Sequence, residues 1–266
     1  MTDSTSPDEA AIVATLRAAG CVFAEDEARL LIAEAQTTDE LAAMISRRVE
    51  GQPLEVILGW AEFCGQRIIV EPGVFVPRRR TELLVELAVD LAQRPTGTDP
   101  VVLDLCCGSG AVGAALGRSI EGAELYAADI EPAAVHCARR NLDGLGTVFE
   151  GDLFEPLPDS LRGRITLLAA NTPYVPSEAI ALMPPEARLH EPRLALDGGV
   201  DGLDVQRRVA DQAQTWLAPG GHLLVEASER QAPHTVSIFE RAGLVARAVS
   251  SEDYDATVVI GTRPLD

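Results

Sequence analysis

Four consecutive residues, Asn171, Thr172, Pro173 and Tyr174, are the most chemically pointed group in the chain. Asn171 carries a side-chain carbonyl oxygen and Thr172 a backbone one. Together they can accept both hydrogens of a planar NH2 group. Pro173 stiffens the turn through its ring-fixed φ, and Tyr174 offers a flat face for stacking. An amide or amine held in this way is a positioned nitrogen nucleophile. The quartet follows ITLLAA (165–170), an apolar run that reads as a buried parallel strand. Open α/β sheets bind their ligands at the carboxyl ends of such strands.

A second constellation lies upstream, in VVLDLCCGSGAVG (101–113). It reads as a strand, a glycine-containing turn and the start of a helix. Gly108, Gly110 and Gly113 fit the G-x-G-x-x-G pattern of dinucleotide sites. A pyrophosphate, however, needs those glycines directly after the strand, at the helix N-terminus, and here Cys106 and Cys107 intervene. The spacing Asp104-x-x-x-Gly108-x-Gly110 instead resembles the first motif of S-adenosylmethionine (SAM)-dependent methyltransferases. A dinucleotide site and a purely structural turn are the competing readings. The candidate cofactor contacts are Asp104, Cys106, Cys107, Gly108, Ser109 and Gly110 in the turn. Asp129 and Ile130 follow the second strand, Asp152 and Leu153 follow the third, and Asn171 closes the set. Asp129 stands where an acid can bind ribose hydroxyls, with a helix N-cap ahead of Pro132 as the alternative. No base neighbours Cys106 or Cys107, so packing is expected of them rather than reactivity.

These residues need a scaffold, and hydropathy supplies one. From Val101 onward, strand and helix patterns alternate. Strands are expected at 101–105, 123–128, 147–150, 165–170, 221–227, 244–250 and 256–261, and helices at 110–119, 131–142, 202–217 and 229–242. Alternating βα units imply a parallel sheet covered on both faces. The last two strands, with no helix between them, imply a hairpin and one antiparallel strand. Ahead of this lie three short amphipathic helices. The first is capped by Asp8 and runs through Ala19, the second spans 25–35, and the third starts at Thr38 or Asp39 and ends at Val49. WAEFCG and QRIIVEPGVFVP read as a β-ribbon turning near Gly65, and Thr81 as the cap of a helix through Gln93. RPTGTDP (94–100) reads as a loop, and 171–200 as the longest irregular stretch. The expected organisation is a helical bundle over 1–52, a ribbon linker over 53–77 and an α/β domain over 78–266.

Composition narrows the function. The net charge is −19 over 266 residues, with no long Lys/Arg run, which disfavours nucleic acid as main partner. The N-terminus lacks the basic and apolar regions of a secretory signal, and no apolar run is long enough to span a bilayer, so a cytoplasmic protein is expected. Five scattered cysteines and four histidines show no metal-ligand spacing, so no metal is expected.

Several motifs, taken in order, carry a family resemblance. NTPY resembles the Asn-Pro-Pro-Tyr signature of methyltransferases that modify planar amide or amino nitrogens. PRRRTELLVE (77–86), VLDLCCGSGAVGAAL, GDLFEPL (151–157), NTPYVP and EPRLALDGGVDGLD (191–204) together resemble the HemK/PrmC family of protein N5-glutamine methyltransferases. The resemblance spans about 50 to 262, and the N-terminal helices are similar in layout. It implies a class I SAM-dependent methyltransferase fold, Rossmann-like with a mostly parallel seven-stranded sheet. It also implies SAM as cofactor and an adenine flanked by Asp152 or the Leu153 backbone. The implied substrate is the Gly-Gly-Gln glutamine of a peptide chain release factor, docked by the N-terminal helices. Thr172 stands in place of the signature's first proline but keeps the carbonyl that residue offers. Arg79 and Arg80 replace the usual proline and acid, and the C-terminal SSEDYDATVVIGTRP lacks the family's usual Gly and Arg. Amino-methylation of another protein, such as a ribosomal protein, or of nucleic acid is the alternative. A non-catalytic SAM-binding module and a dinucleotide oxidoreductase stand further off.

Overall fold

A computed structural model describes residues 8–93 and 99–265. Most of the loop expected over 94–100, and the acidic segment 1–7, lie outside the described residues.

The chain opens with α1 (Glu9–Ala18), α2 (Ala24–Glu34) and α3 (Thr38–Val49). Asp8 accepts the Ala11 N–H and so caps α1. Thr37, one residue before the expected start, caps α3 by accepting the Glu40 N–H, while Glu40 accepts the Gln36 N–H. This near-reciprocal box explains the boundary. Pro53 opens a short helix, α4 (Leu54–Leu58), that the sequence reading missed. Ile57 of α4 packs with Leu16, Leu31, Leu41 and Met44 in a core separate from that of the sheet.

The ribbon is β1 (Trp60–Phe63) and β2 (Gln66–Ile69), antiparallel, with Trp60 opposite Ile69. Its two turn residues, Cys64 and Gly65, both have positive φ, as a tight twisted hairpin requires. Asn141 ties the ribbon to the main domain. Its side chain accepts the Ile69 N–H and donates to the Ile69 and Ser109 carbonyls.

The main domain comprises α5 (Glu82–Ala92), β3 (Val101–Leu105), α6 (Ala111–Ser119), β4 (Glu124–Asp129), α7 (Pro132–Asn141) and β5 (Gly146–Glu150). It continues with β6 (Ile165–Ala170), α8 (Pro185–His190), α9 (Arg193–Leu196), α10 (Asp204–Trp216), β7 (Leu217–Ala227), α11 (Ala232–Arg241), β8 (Val245–Ser251) and β9 (Ala256–Thr262). The sheet order is β5-β4-β3-β6-β7-β9-β8, parallel except for β9, which runs antiparallel to both its neighbours. This is the expected Rossmann-like, seven-stranded architecture. Alternate residues of β3 enter opposite cores. Val102 packs with α5, α6 and α7, whereas Val101, Leu103 and Leu105 pack with α10 and α11. That two-sided burial is why the strand reads as a continuous apolar run.

Three local expectations are corrected. Thr81 makes no side-chain cap to α5; its hydroxyl goes to a buried acid on β7 instead. The stretch 171–200 is not wholly irregular, because prolines 184, 185 and 192 start α8 and α9. Strand β7 begins at Leu217, directly from α10, and its pairing with β6 slips between Ile165 and Leu167.

The chain builds outward from β3 through β4 to β5, then returns to β6 on the other side of β3. Strand order therefore reverses between β3 and β6, and a crevice opens at their carboxyl ends.

Candidate active site

The crevice is a cavity of about 490 Å³, within the range of cofactor and ligand sites. Cys106, Cys107, Gly108 and Ser109 of the turn after β3, with Asp129, Ile130, Asp152, Leu153 and the 171–175 corner, line it, whereas Gly110 of that turn does not. The two constellations that the sequence separates by some sixty positions thus share one cleft.

The cofactor turn holds positive φ at Cys106, Gly108 and Gly110. Cys106 is the costly one, since a side chain there opposes the conformation. Asp104, only 1% exposed, points inward, and its Oδ2 accepts the Gly113 N–H at 2.7 Å. Gly113 is the third residue of α6, so a strand carboxylate satisfies one of the helix's orphan N-terminal donors. A Cβ at 113 would lie 3.1 Å from that oxygen, which explains the glycine. Burial pushes Asp104 up to about 7; the Gly113 N–H opposes this and Asp129 adds to it. A pyrophosphate at this helix end would find the Gly113 N–H already taken by the Asp104 side chain. The site fits an adenosine cofactor without phosphates, as SAM is, and does not fit a dinucleotide.

Asp129 at the end of β4 accepts Gly108 N–H at 2.8 Å through Oδ2 and Glu131 N–H at 2.9 Å through Oδ1. It braces the glycine turn, and each oxygen retains acceptor capacity for a hydroxyl. Burial raises its pKa, against the pull of these two N–H groups. Beside it, Ile130 leaves 47% of its surface exposed, an apolar wall for a ring. Asp152 is held at 2.7 Å by Arg208 of α10, and Leu153, at positive φ, buries its side chain. Ser109 is buried, its carbonyl held by Asn141. Burial raises the pKa of both Cys106 and Cys107, so neither presents a thiolate.

At the other wall, Asn171 follows β6 directly. Its Nδ2 donates to Thr81 Oγ1 at 3.3 Å. The Thr81 hydroxyl donates to Glu226 Oε2 at 2.6 Å, and the Tyr174 hydroxyl to Glu226 Oε1 at 3.1 Å. Asn171 Oδ1 and the Thr172 carbonyl accept no hydrogen bond from any described residue. The Tyr174 carbonyl takes a bond from Gln231, the residue just before α11, at 2.9 Å. The glycine-rich segment 198–202 packs backbone to backbone on this corner. A Cβ at Gly202, whose φ is +78°, would lie 2.2 Å from the Tyr174 carbonyl oxygen. Nearby, Arg78 pairs with the buried Glu191, and the pocket-lining Glu186 meets Arg48 of α3 at 3.3 Å.

Glu226, Thr81, Asn141 and Gln231 were not singled out as site residues from sequence. One signal existed: Glu226 sits near the carboxyl end of a buried parallel strand, as Asp104 and Asp129 do. Among the described residues no His/Cys/Asp/Glu cluster could hold a metal, and no helix is long and apolar enough to cross a membrane.

Known proteins resemble this one in sequence and in fold. A family model for the methyltransferase small domain matches residues 66–180. A release factor glutamine methyltransferase of Geobacter sulfurreducens is 38% identical over 231 residues, covering 85% of this chain and 79% of that protein. A 4-amino-L-phenylalanine/4-methylamino-L-phenylalanine methyltransferase of Streptomyces pristinaespiralis is 36% identical over 211 residues, 77% of this chain and 71% of that one. Among solved structures, a methyltransferase from Pyrococcus furiosus shares the fold, with a TM-score of 0.57 at 13% identity over 84% of this chain and 100% of that one. The fold, the cleft at the carboxyl ends of β3 and β6, and sequence identity along most of the chain agree: this SAM-dependent enzyme belongs to the release factor glutamine methyltransferase family.

Proposed function

We propose that this protein methylates the side-chain amide nitrogen of the Gly-Gly-Gln glutamine in a peptide chain release factor. The observation that carries this reading is the pair of unengaged acceptors, Asn171 Oδ1 and the Thr172 carbonyl, on one cleft wall opposite the cofactor turn. The cofactor supplies an electrophilic methyl group on a sulfonium. The protein's task is to make a poor nucleophile reactive, because an amide lone pair is delocalised. Two acceptors on the two N–H bonds fix the nitrogen and aim its lone pair, so catalysis is positioning and electrostatics. With SAM bound, the amide nitrogen would take the methyl group as the C–S bond gave its electron pair to sulfur, and would release one N–H proton to solvent. Tyr174 stacks on the amide plane, and Pro173 holds the corner. Asp104, Cys106, Cys107, Gly108, Ser109, Asp129, Ile130, Asp152 and Leu153 form the cofactor wall, and Gly110, at positive φ, shapes the turn behind it.

Residues 1–52 serve in this reading as the docking module, 53–77 as the linker and 78–266 as the catalytic domain; the cytoplasm is the implied compartment. The test is transfer of labelled methyl from SAM to a release factor, located by mass spectrometry. Label on the Gly-Gly-Gln glutamine, lost when that glutamine is replaced by alanine, is the expected result. Asn171→Ala lowers the rate by roughly 100-fold or more and keeps S-adenosylhomocysteine affinity. Undiminished turnover in that variant would sink the role of Asn171.

One observation favours a second reading. A relative at 36% identity is named for methylating an aryl amine. The same two acceptors suit an NH2 on a ring, in a small molecule, another protein or a base, and label on such an acceptor in place of the release factor would select it. The net charge of −19 weighs against nucleic acid.

A further inference from the structure

We infer that Glu226 is a positioning residue that sets, through Thr81, which end of the Asn171 amide faces the cleft. Glu226 lies on β7, next to β6, and is 2% exposed. Both of its oxygens are engaged, Oε2 by the Thr81 hydroxyl and Oε1 by the Tyr174 hydroxyl. An ionised carboxylate only accepts, so both hydroxyls must donate. Thr81 has one proton, now committed, and its oxygen can then only accept. The group in reach is the Asn171 amide, and only its NH2 end can donate. The chain of bonds therefore turns Nδ2 toward Thr81 and leaves Oδ1 for the cleft. Reversal would place an NH2 where the substrate NH2 must sit, donor against donor.

The same carboxylate holds the Tyr174 hydroxyl, so one acid on β7 orients both ends of the corner. The groups facing Glu226 are Thr81 and Arg80 from the turn before α5, Tyr174 from the loop after β6, and Gln206 of α10 at the Glu226 carbonyl oxygen. Burial holds the Glu226 pKa above the ordinary carboxylate value, with Thr81, Arg80 and Tyr174 pulling against it, and the relay operates in the ionised form. The consequence for turnover rests on Asn171 being the substrate's acceptor; the orientation itself does not.

The test compares E226Q, T81V and T81S with the wild type. Gln at 226 has nearly the same shape but offers one acceptor and one donor, so it cannot make both hydroxyls donate. The relay predicts a kcat about tenfold lower or worse for E226Q and T81V, corresponding to about 1.4 kcal/mol, with S-adenosylhomocysteine affinity retained in both; E226Q keeps its thermal midpoint, whereas T81V melts lower because it leaves a buried carboxylate oxygen without its partner. T81S recovers most of what T81V loses. A merely structural Glu226 predicts wild-type kcat in the stable E226Q protein, and that result overturns the inference. A second readout needs no substrate. The Asn171 side-chain NH2 resonance, assigned by its loss in N171D, shifts in E226Q and T81V. An unmoved resonance overturns the relay whatever the enzyme methylates. A shifted resonance in a protein that leaves release factors unlabelled keeps the relay and refutes the glutamine reading.

Discussion

Thr172 carries a measurable penalty that a single substitution removes. The residue is 1% exposed, and its hydroxyl oxygen is buried with no hydrogen-bond partner. Leaving such a group unsatisfied costs about 1–3 kcal/mol. Valine keeps the branched shape at Cβ and replaces the hydroxyl by a methyl, which adds burial worth about 0.8 kcal/mol. Part of this is offset by imperfect packing of the larger methyl. A net gain of about 2 kcal/mol is therefore expected for Thr172→Val. In a chain of this size that corresponds to a rise in Tm of roughly 4–8 °C. Calorimetry of the wild type, T172V and T172S at one pH measures it. T172S keeps the hydroxyl and loses the methyl, so it should melt below the wild type. If T172V melts at or below the wild type, the hydroxyl has a stabilising partner and the assignment of an orphaned oxygen is wrong.

Two further outcomes follow from the same contacts. Asp104 has a native pKa near 7, above its ordinary value of 3.8. The native state thus holds the proton more tightly than the unfolded chain, and stability falls as pH rises from about 4 through about 7. D104N should flatten that part of the stability profile when unfolding is followed in urea; an unchanged slope refutes the raised pKa. Gly202→Ala should destabilise the protein by about 2 kcal/mol or more, through both its positive φ and its collision with the Tyr174 carbonyl. It should also slow methyl transfer, and a variant with normal melting and normal rate would show that the corner does not depend on this contact.

Periodicity and chemistry were legible in different degrees. The buried strands announced themselves because β3 and β6 are apolar on both faces, and the carboxyl-end location of NTPY followed from that. Short helices were harder. α4, α8 and α9 are each six residues or fewer, too short for a helical period to show. Thr81 looked like a cap because local sequence offers no other partner. Its actual partner, Glu226, lies 145 positions away, and only the sheet order brings the two together. Spacing put Asp104 just ahead of the glycine turn, where β3 carries it, but its bond to the Gly113 N–H depends on how α6 packs on β3. Spacing locates such residues; it does not say which atom they face.

The carboxylate seated at the head of α6 also has a bearing on life in a crowded metabolite pool. Adenosine is shared by many abundant compounds, most of them bearing phosphate chains. At the one spot where such a chain would seek a helix, the Asp104 side chain already holds the Gly113 N–H, so those compounds find that donor taken, without a steric wall. Competitors that succeed against SAM here will be neutral or cationic nucleosides, not nucleotides.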